Sequence, residues 1–237
     1  MKDLVKQNAV FITLSLLLLI ALGSALVMIP KGELHLLLCD HHTPARDIFY
    51  RYYTHVAEWF PYVLCVLLLL FSRIGDGAFA SACQALSALT TQIIKHIVCA
   101  PRPLTWFAET MPDVQLPLAE GVRMNYWLSF PSGHTTSFFA LAFVLCIIAT
   151  KKITQTTSSI LQSGHTQRAC CVLVQVLLFL LAALGGYSRI YLSQHFALDV
   201  FGGACVGMLI TIVCYAVLSR FKNKKWYNYR ILGPKTA

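Results

Sequence analysis

The chain alternates between long apolar stretches and short polar connections, a pattern typical of integral membrane proteins. A membrane-spanning helix requires about 20 mostly apolar residues. Six stretches approach or exceed that length: 9–29, 56–72, 77–98, 134–150, 170–187 and 195–219. The pattern therefore predicts an all-α fold, a bundle of six transmembrane helices that forms one domain over residues 1–237.

The first stretch resembles a signal peptide, because Lys2 and Lys6 precede its apolar run. The run is longer than the apolar region of a signal peptide and lacks a convincing small-x-small cleavage site. We therefore expect an uncleaved first span.

Composition agrees with a membrane protein. Of the 237 residues, 57% are hydrophobic and 12% are charged, about half the charged share of a soluble domain. A net charge of +9 suits either nucleic acid or a membrane surface. Nucleic-acid binding is not expected, because that function needs charged faces rather than long apolar runs. The nine cysteines show no CxxC or metal-like spacing, so no disulfide framework or metal site is predicted.

The distribution of basic residues predicts the orientation. Six spans place both termini on one side, and the tail at 220–237 carries six Lys and Arg residues. Because basic residues concentrate in cytoplasmic segments, both termini are expected in the cytoplasm. The longest connection, at about 99–131, then lies outside. The absence of an N-x-S/T sequon favours a bacterial cytoplasmic membrane, with the outer face in the periplasm.

Several polar residues lie at the outer ends of the predicted spans, where charged groups are costly and usually functional. Lys95, Arg102 and Arg189 are cations without acids on neighbouring turns, so together they suit a multiply charged anion such as phosphate. The Pro131–His134 turn opens a predicted helix, whose free N–H groups can bind phosphate while Gly133 allows close approach. The alternative is an ordinary turn in which Ser132 caps the helix.

Two histidines share this boundary. His195 and Asp199 are spaced i and i+4, which predicts a common helix face where the carboxylate fixes the imidazole tautomer. The other ring nitrogen would then be free to act as a nucleophile or base. His134 adds a second imidazole that could act as an acid. A purely structural His–Asp hydrogen bond is the alternative.

These residues resemble the three-part signature of the type 2 phosphatidic acid phosphatase family, whose superfamily includes vanadium haloperoxidases and bacterial acid phosphatases. The matching blocks are 95–103 (Lys-x6-Arg-Pro), 131–134 (Pro-Ser-Gly-His) and 188–199 (Ser-Arg-x5-His-x3-Asp). Eleven positions match in order. The resemblance implies a bundle of the PAP2/haloperoxidase-like type that extends over nearly the whole chain.

The resemblance also implies a phosphatase that forms a phosphohistidine and needs no metal or cofactor. His195 would attack phosphorus, Asp199 would orient it, and His134 would protonate the leaving oxygen. The phosphoryl oxygens would be held by the remaining signature residues: Lys95, Arg102, Ser132, Gly133 and Arg189. A second reading, in which Asp40, His41 and His42 bind a metal, has no supporting spacing, so these residues are expected to form a solvated loop cluster.

The expected partners are the bilayer and a lipid with a phosphomonoester or diphosphate head. Undecaprenyl diphosphate and lipid A are favoured about equally, ahead of phosphatidylglycerol phosphate and phosphatidic acid. Three alternatives remain: a lipid phosphotransferase that uses the same phosphohistidine, a non-catalytic lipid-phosphate binder or transporter, and a haloperoxidase. The sequence does not predict the oligomeric state.

Overall fold

The computed structural model describes residues 2–40, 42–160 and 164–231. Within these ranges the chain is helical, with no strand. The α-helices are α1 (Lys2–Gln7), α2 (Ala9–Met28), α3 (Lys31–Cys39), α4 (Pro44–Tyr53), α5 (Trp59–Ser72), α6 (Ile74–Val98), α7 (Pro103–Thr110), α8 (Gly133–Ile160), α9 (Gly164–Tyr191), α10 (Ala197–Leu218) and α11 (Lys225–Asn228). Short 3₁₀ helices at Thr54–Ala57 and Ser219–Phe221 extend α4 and α10. The all-α prediction is confirmed.

In the described part of the chain, four helical segments are long and apolar enough to cross a membrane: Ala9–Met28, Gly133–Gln155, His165–Tyr191 and Ala197–Phe221. The helices Pro44–Ala57 and Trp59–Ser72, bent by 48° at Glu58, make a fifth span when the pair is counted as one element. The predicted stretch at 56–72 covers only the second half of this bent pair. The stretch at 77–98 lies in α6, which is 25 residues long but carries more polar residues along its length.

Helix α8 lies at the centre of the bundle and packs against α6, α9 and α10. Its aromatic residues carry much of the core. The Phe143 ring stacks on the Phe11 ring of α2 with centroids 5.1 Å apart, and Phe11 also meets Phe179 of α9 edge-on. Large aromatic side chains dominate the burial of apolar area in such cores. The three helices are therefore tied together on one side of α8.

The start of α2 is held by α9 through a side chain. The first N–H groups of a helix have no partner within it. Gln175 Oε1 of α9 accepts hydrogen bonds from the amides of Val10 and Phe11 at 3.1 and 3.2 Å. Asn8 Oδ1 accepts a further bond from Thr150 Oγ1 of α8 at 3.0 Å. These buried polar contacts fix the N-terminal helix against the bundle without exposing backbone donors to lipid.

The predicted outer connection at 99–131 is not a plain loop, because it contains α7. After α7 the chain returns to the bundle, where the Ser129 amide donates to the Ala100 carbonyl at 3.0 Å. The Arg102 amide donates to the Tyr126 carbonyl at 2.8 Å. The segment therefore closes over one end of the bundle, the end at which α8 begins and α9 finishes.

Candidate active site

His195 lies in the short connection between α9 and α10. The amides of Gln194 and His195 both donate to the Arg189 carbonyl, at 3.0 and 3.1 Å. Ser193, which precedes these two residues, adopts a left-handed conformation with φ of 50°. Non-glycine residues rarely use this conformation. The end of α9 therefore turns sharply and presents His195, only 1% exposed, to the interior.

The contact between His195 and Asp199 does not arise from a shared helix face, so that prediction is wrong in its geometry. His195 precedes α10, and Asp199 is the third residue of that helix. Asp199 Oδ2 accepts the Phe196 amide at 2.8 Å and so caps the helix. The same oxygen lies 3.4 Å from His195 Nδ1. His195 and Asp199 meet because this capping hydrogen bond holds the residues just before α10 against the first turn of α10.

Ser129 completes this arrangement from the segment before α8. Its hydroxyl donates to Asp199 Oδ2 at 2.5 Å and lies 3.4 Å from His195 Nδ1. The carboxylate thus has one hydroxyl donor, one amide donor and an imidazole around it, while both side chains of the His–Asp pair are almost completely buried. Because Nδ1 faces the carboxylate, Nε2 is the ring nitrogen available for chemistry.

Three cations lie at this site and each is buried: Lys95 is 7% exposed, Arg102 9% and Arg189 6%. Their hydrogen bonds go to neutral groups. Lys95 Nζ donates to the Leu128 carbonyl at 2.5 Å, Arg102 Nε to the Trp127 carbonyl at 3.0 Å, and Arg189 Nη1 to Thr54 Oγ1 at 2.7 Å. These hydrogen bonds leave the positive charge in place. Burying charge without an ionic partner is costly, so the cluster is suited to an anionic ligand.

Gln194 joins the two guanidinium groups. Its Oε1 accepts from Arg102 Nη1 at 3.2 Å and lies 3.5 Å from Arg189 Nη2, which also donates to it. Its Nε2 donates to the Arg123 carbonyl at 3.2 Å. The buried Arg189 Nε has no hydrogen-bond partner among the residues that the structure describes. A neutral oxygen therefore lies between two Arg forks, next to a donor that a phosphate oxygen could satisfy.

Electrostatics keep His195 neutral. Burial lowers the pKa of His195 well below its usual value, and repulsion from Arg102, Arg189 and Lys95 lowers this pKa further. The charged imidazolium loses hydration in the interior and gains no compensation from the surrounding cations. The surroundings therefore favour the uncharged ring, the form in which one ring nitrogen keeps a free lone pair.

His134 opens α8 and lines two clefts that meet at the site. One cleft lies between α6 and α8 and includes Lys95 and Gly133. The other includes Arg189, Gln194 and Glu58. Glu58 Oε1 lies 3.9 Å from His134 Nε2. The break between the 3₁₀ helix and α5 therefore brings a carboxylate beside the second imidazole.

The Pro131–His134 turn is anchored to α10. The Ser132 hydroxyl accepts from the Thr135 amide at 3.4 Å and from its hydroxyl at 2.9 Å, which caps α8. The Ser132 amide donates to the Asp199 carbonyl at 2.9 Å. A Cβ on Gly203 would lie 2.6 Å from the Ser132 carbonyl oxygen. Glycine at 203 thus permits the close approach that places the turn beside the His–Asp pair.

The structure brings the predicted site residues to one end of the bundle: Lys95, Arg102, Ser132, Gly133, His134, Arg189, His195 and Asp199. Sequence reasoning did not identify Ser129, Gln194, Glu58 or Thr54, which contact them. No local signal distinguishes these four residues, because each makes at least one of its contacts with a residue that lies far away in the sequence. The catalytic and binding roles of all of these residues remain predictions.

The loop near Asp40 differs from expectation. His42 was expected in a solvated cluster, but its Nδ1 lies 2.8 Å from Asp47 Oδ1 and its ring stacks on Tyr191 with centroids 4.4 Å apart. Aromatic stacking and an acid on α4 thus hold it against the bundle. His41 lies outside the described residues, and so does Lys235 of the basic tail. Among the described residues, no group of three or more His, Cys, Asp or Glu side chains could hold a metal ion.

Comparison with known proteins identifies relatives by sequence. Lipid phosphate phosphatase 2 of Arabidopsis thaliana is 32% identical over 168 residues, which cover 65% of this chain and 55% of the relative. Lipid phosphate phosphatase 1 of the same plant is 37% identical over 87 residues, 37% of this chain and 24% of the relative. The chain spans about half the length of the first of these relatives and less of the second. Lipid phosphate phosphatases are, by their name, phosphoric ester hydrolases.

Two solved structures are similar in fold. The crystal structure of Aquifex aeolicus LpxE is 27% identical, with a TM-score of 0.57 over 78% of this chain and 93% of that one. A PAP2-type phosphatidylglycerolphosphate phosphatase from Bacillus subtilis has a TM-score of 0.58 over 92% of this chain and 98% of its own. At 18% identity, the second comparison shows the fold alone. The sequence profile of the PAP2 superfamily matches residues 76–223, a range that contains all eight predicted site residues, and the chain therefore belongs to the PAP2 superfamily.

Proposed function

We propose that the protein is an integral-membrane lipid phosphatase that removes phosphate from a phosphomonoester or diphosphate head group through a phosphohistidine. One observation carries the proposal: a neutral, buried His195 is paired with Asp199 inside a cluster of three buried cations. Simple binding of a lipid phosphate would need the cations but no oriented nucleophile.

In the first step, the His195 Nε2 lone pair forms a bond to phosphorus. The bond between phosphorus and the lipid oxygen breaks, its electron pair goes to that oxygen, and His134 supplies the proton. Asp199 accepts the hydrogen bond of the Nδ1 proton and stabilises the positive charge that develops on the ring. Glu58 Oε1 lies 3.9 Å from His134 Nε2 and 2.7 Å from His55 Nδ1, so a carboxylate borders the proposed acid.

In the second step, water attacks phosphorus and loses its proton to His134. The N–P bond breaks, its electrons return to His195 Nε2, and phosphate leaves. Charge spreads over the equatorial oxygens in both transition states. Lys95, Arg102 and Arg189 stabilise this charge, together with the Ser132 hydroxyl and the backbone at Gly133. Because these groups are already fixed by the fold, little reorganisation accompanies the reaction.

The proposed topology has six spans, made of the four apolar helices, the bent pair around Glu58, and α6. Helix α6 is about 37 Å long at 1.5 Å per residue, enough to cross the hydrocarbon core. Both termini then lie in the cytoplasm and the site opens to the periplasm at head-group level. Undecaprenyl diphosphate and lipid A are the favoured substrates, followed by phosphatidylglycerol phosphate and phosphatidic acid.

The test is release of inorganic phosphate by purified protein from a panel of those four lipids, in chelator, with and without vanadate. We expect metal-independent, vanadate-sensitive hydrolysis of at least one lipid. His195→Ala should lower kcat by about 10⁴-fold or more, as removal of a nucleophile does elsewhere. The matched control is His96→Ala. The His96 side chain is exposed, and its Nδ1 lies 2.8 Å from the Gln92 carbonyl oxygen, on the same helix.

Two results would overturn the proposal. Full activity in His195→Ala excludes the covalent mechanism. Transfer of phosphate to an added acceptor lipid, without release of inorganic phosphate, identifies a phosphotransferase. Alkaline quench of the wild type with a radiolabelled substrate adds an independent check, because a phosphohistidine survives in base and the label is released on later treatment with acid.

A further inference from the structure

A second cavity lies at the end of the bundle opposite the candidate active site. We call it the basal pocket; it is lined by Arg73, Lys151, Lys152, Tyr215, Tyr227 and Arg230 among others. His134 and Lys151 are 17 positions apart on α8. At 1.5 Å per residue this separation is about 26 Å, close to the thickness of about 30 Å of a hydrocarbon core. The two sites therefore lie at opposite membrane interfaces.

The basal pocket is positively charged. Four cations and one acid line it, and that acid, Asp76, is already paired with Arg73. The pair is well shielded, since the Arg73 side chain is 16% exposed and that of Asp76 is 5% exposed. Arg73 Nε is buried and has no hydrogen-bond partner within residues 2–40, 42–160 and 164–231. Lys151, Lys152 and Arg230 thus leave an excess of positive charge around an unsatisfied donor, which favours an anion.

The chain after α10 folds back to complete this pocket. The Ile74 amide donates to the Tyr229 carbonyl at 3.0 Å, next to Arg230. Tyr227 is 8% exposed, and a Cβ on Gly75 would lie 2.6 Å from its carbonyl oxygen. The Arg73 guanidinium lies 5.3 Å from the centre of the Tyr227 ring. The backbone just before Arg230 is therefore held against the start of α6, which places Arg230 beside the pocket.

An apolar groove adjoins the pocket and shares two of its residues, Ile148 and Lys152. It runs between α8 and α9, where its other lining residues are Leu145, Ala149, Val174, Leu177, Leu178 and Leu181. Between Lys152 and Leu145 it extends about 10 Å along α8, towards the middle of the membrane. A charged pocket at the interface that continues into an apolar groove matches the head and acyl chain of a lipid.

We propose that the basal pocket binds the phosphate of an anionic phospholipid in the leaflet opposite the active site, with one acyl chain in the groove between α8 and α9. A free phosphate ion shares the head-group chemistry but makes no use of the groove. The bound lipid would join the C-terminal segment, α6, α8 and α9, and so would stabilise the bundle.

The experiment counts phosphatidylglycerol and phosphatidylcholine retained by the full-length protein after purification from equimolar mixed micelles, by native mass spectrometry. The pocket variant is Lys152→Gln/Arg230→Gln. The control is Arg220→Gln/Lys224→Gln, which removes the same charge from exposed residues outside the pocket. Each basic residue near an anionic lipid surface strengthens binding to that surface by about a factor of five. We therefore expect about thirtyfold weaker phosphatidylglycerol retention in the pocket variant and little change in the control.

A third variant, Ala149→Phe, separates the two sources of phosphate by filling the groove. We expect it to weaken phosphatidylglycerol retention and to leave the stabilisation by inorganic phosphate, read from the melting temperature, unchanged. Equal phosphatidylglycerol retention in the pocket and control variants would overturn the proposal. Stabilisation by inorganic phosphate that the pocket variant loses, without a preference for phosphatidylglycerol, would overturn the lipid assignment. Because no readout depends on hydrolysis, failure here is distinct from failure of the proposed phosphatase activity.

Discussion

The Ser129 hydroxyl donates a hydrogen bond to the Asp199 carboxylate, with 2.5 Å between Oγ and Oδ2, and also lies 3.4 Å from His195 Nδ1. Ser129 is completely buried. It therefore holds the acid that orients the proposed nucleophile, although it does not itself face the phosphoryl group in the proposed mechanism. Such supporting contacts commonly determine whether a catalytic pair keeps its productive geometry.

Ser129→Ala should lower kcat for the best lipid substrate by about 10- to 100-fold with little change in KM. The range follows from a hydrogen bond to a charged group, worth about 1.5–3 kcal/mol. Thr110→Ala is the control, since its hydroxyl donates to the Trp106 carbonyl at an exposed position. Unchanged kcat in Ser129→Ala would show that Asp199 needs no third partner, whereas Ser129→Thr should restore part of the activity.

Gln194→Glu should raise KM by about tenfold or more and change kcat less. The new carboxylate would lie between Arg102 and Arg189, where it competes with the phosphoryl oxygens for both guanidinium groups. Steady-state kinetics on a lipid phosphate measure the effect, with vanadate affinity as an independent reading of the same site. Gln167→Glu, near the opposite end of α9, adds the same charge and should leave both parameters intact. A KM at the wild-type level would mean that Gln194 moves away when substrate binds.

The acid limb of the pH profile should shift when a neighbouring cation is removed. Arg102 is one of the groups that lower the pKa of His195, so Arg102→Gln should raise that pKa. Because His195 must be neutral to attack, activity is lost as pH falls through its pKa, and the limb in kcat/KM should move to higher pH. The overall rate should also fall, since the variant lacks one of the proposed phosphate ligands.

Arg168→Gln is the control for this measurement, because Arg168 is exposed near the start of α9. Its profile should overlay that of the wild type. A limb that stays in place in Arg102→Gln, or that moves to lower pH, would contradict the assignment of this ionisation to His195.

Gly203→Ala should destabilise the protein by about 1–3 kcal/mol, the usual cost of overpacking a tight core. The added methyl group would lie 2.6 Å from the Ser132 carbonyl oxygen, a backbone atom that cannot rotate away. Gly23→Ala provides the contrast, because its nearest neighbour is the Phe201 ring at 3.5 Å. An alanine there meets an ordinary contact and gains helix propensity. Melting temperatures in detergent distinguish the two variants. Equal melting temperatures would show that α10 can shift to accept the methyl group without a loss of stability.

Local pattern alone predicted the helical stretches and the residues that we propose for the chemistry. The apolar runs that became α2, α8, α9 and α10 are visible because helix formation in lipid depends on consecutive apolar residues. His134, His195, Asp199 and the three cations are recognisable because charge at the end of an apolar run is costly. The capped geometry of Asp199 was not predicted from its i, i+4 spacing, since the turn after α9 delays the start of α10 until Ala197.

Tertiary packing decided what surrounds those groups. Ser129 is 70 residues from Asp199, and Gln194 is 92 residues from Arg102. Contacts over such separations cannot be predicted from the periodicity of the sequence. Packing between distant segments also holds the backbone next to Arg230 against the start of α6. The bend of 48° at Glu58 likewise has no counterpart in the apolar pattern. Local sequence sets the tendency of a segment to be helical, whereas the position of one side chain against another depends on how whole helices pack.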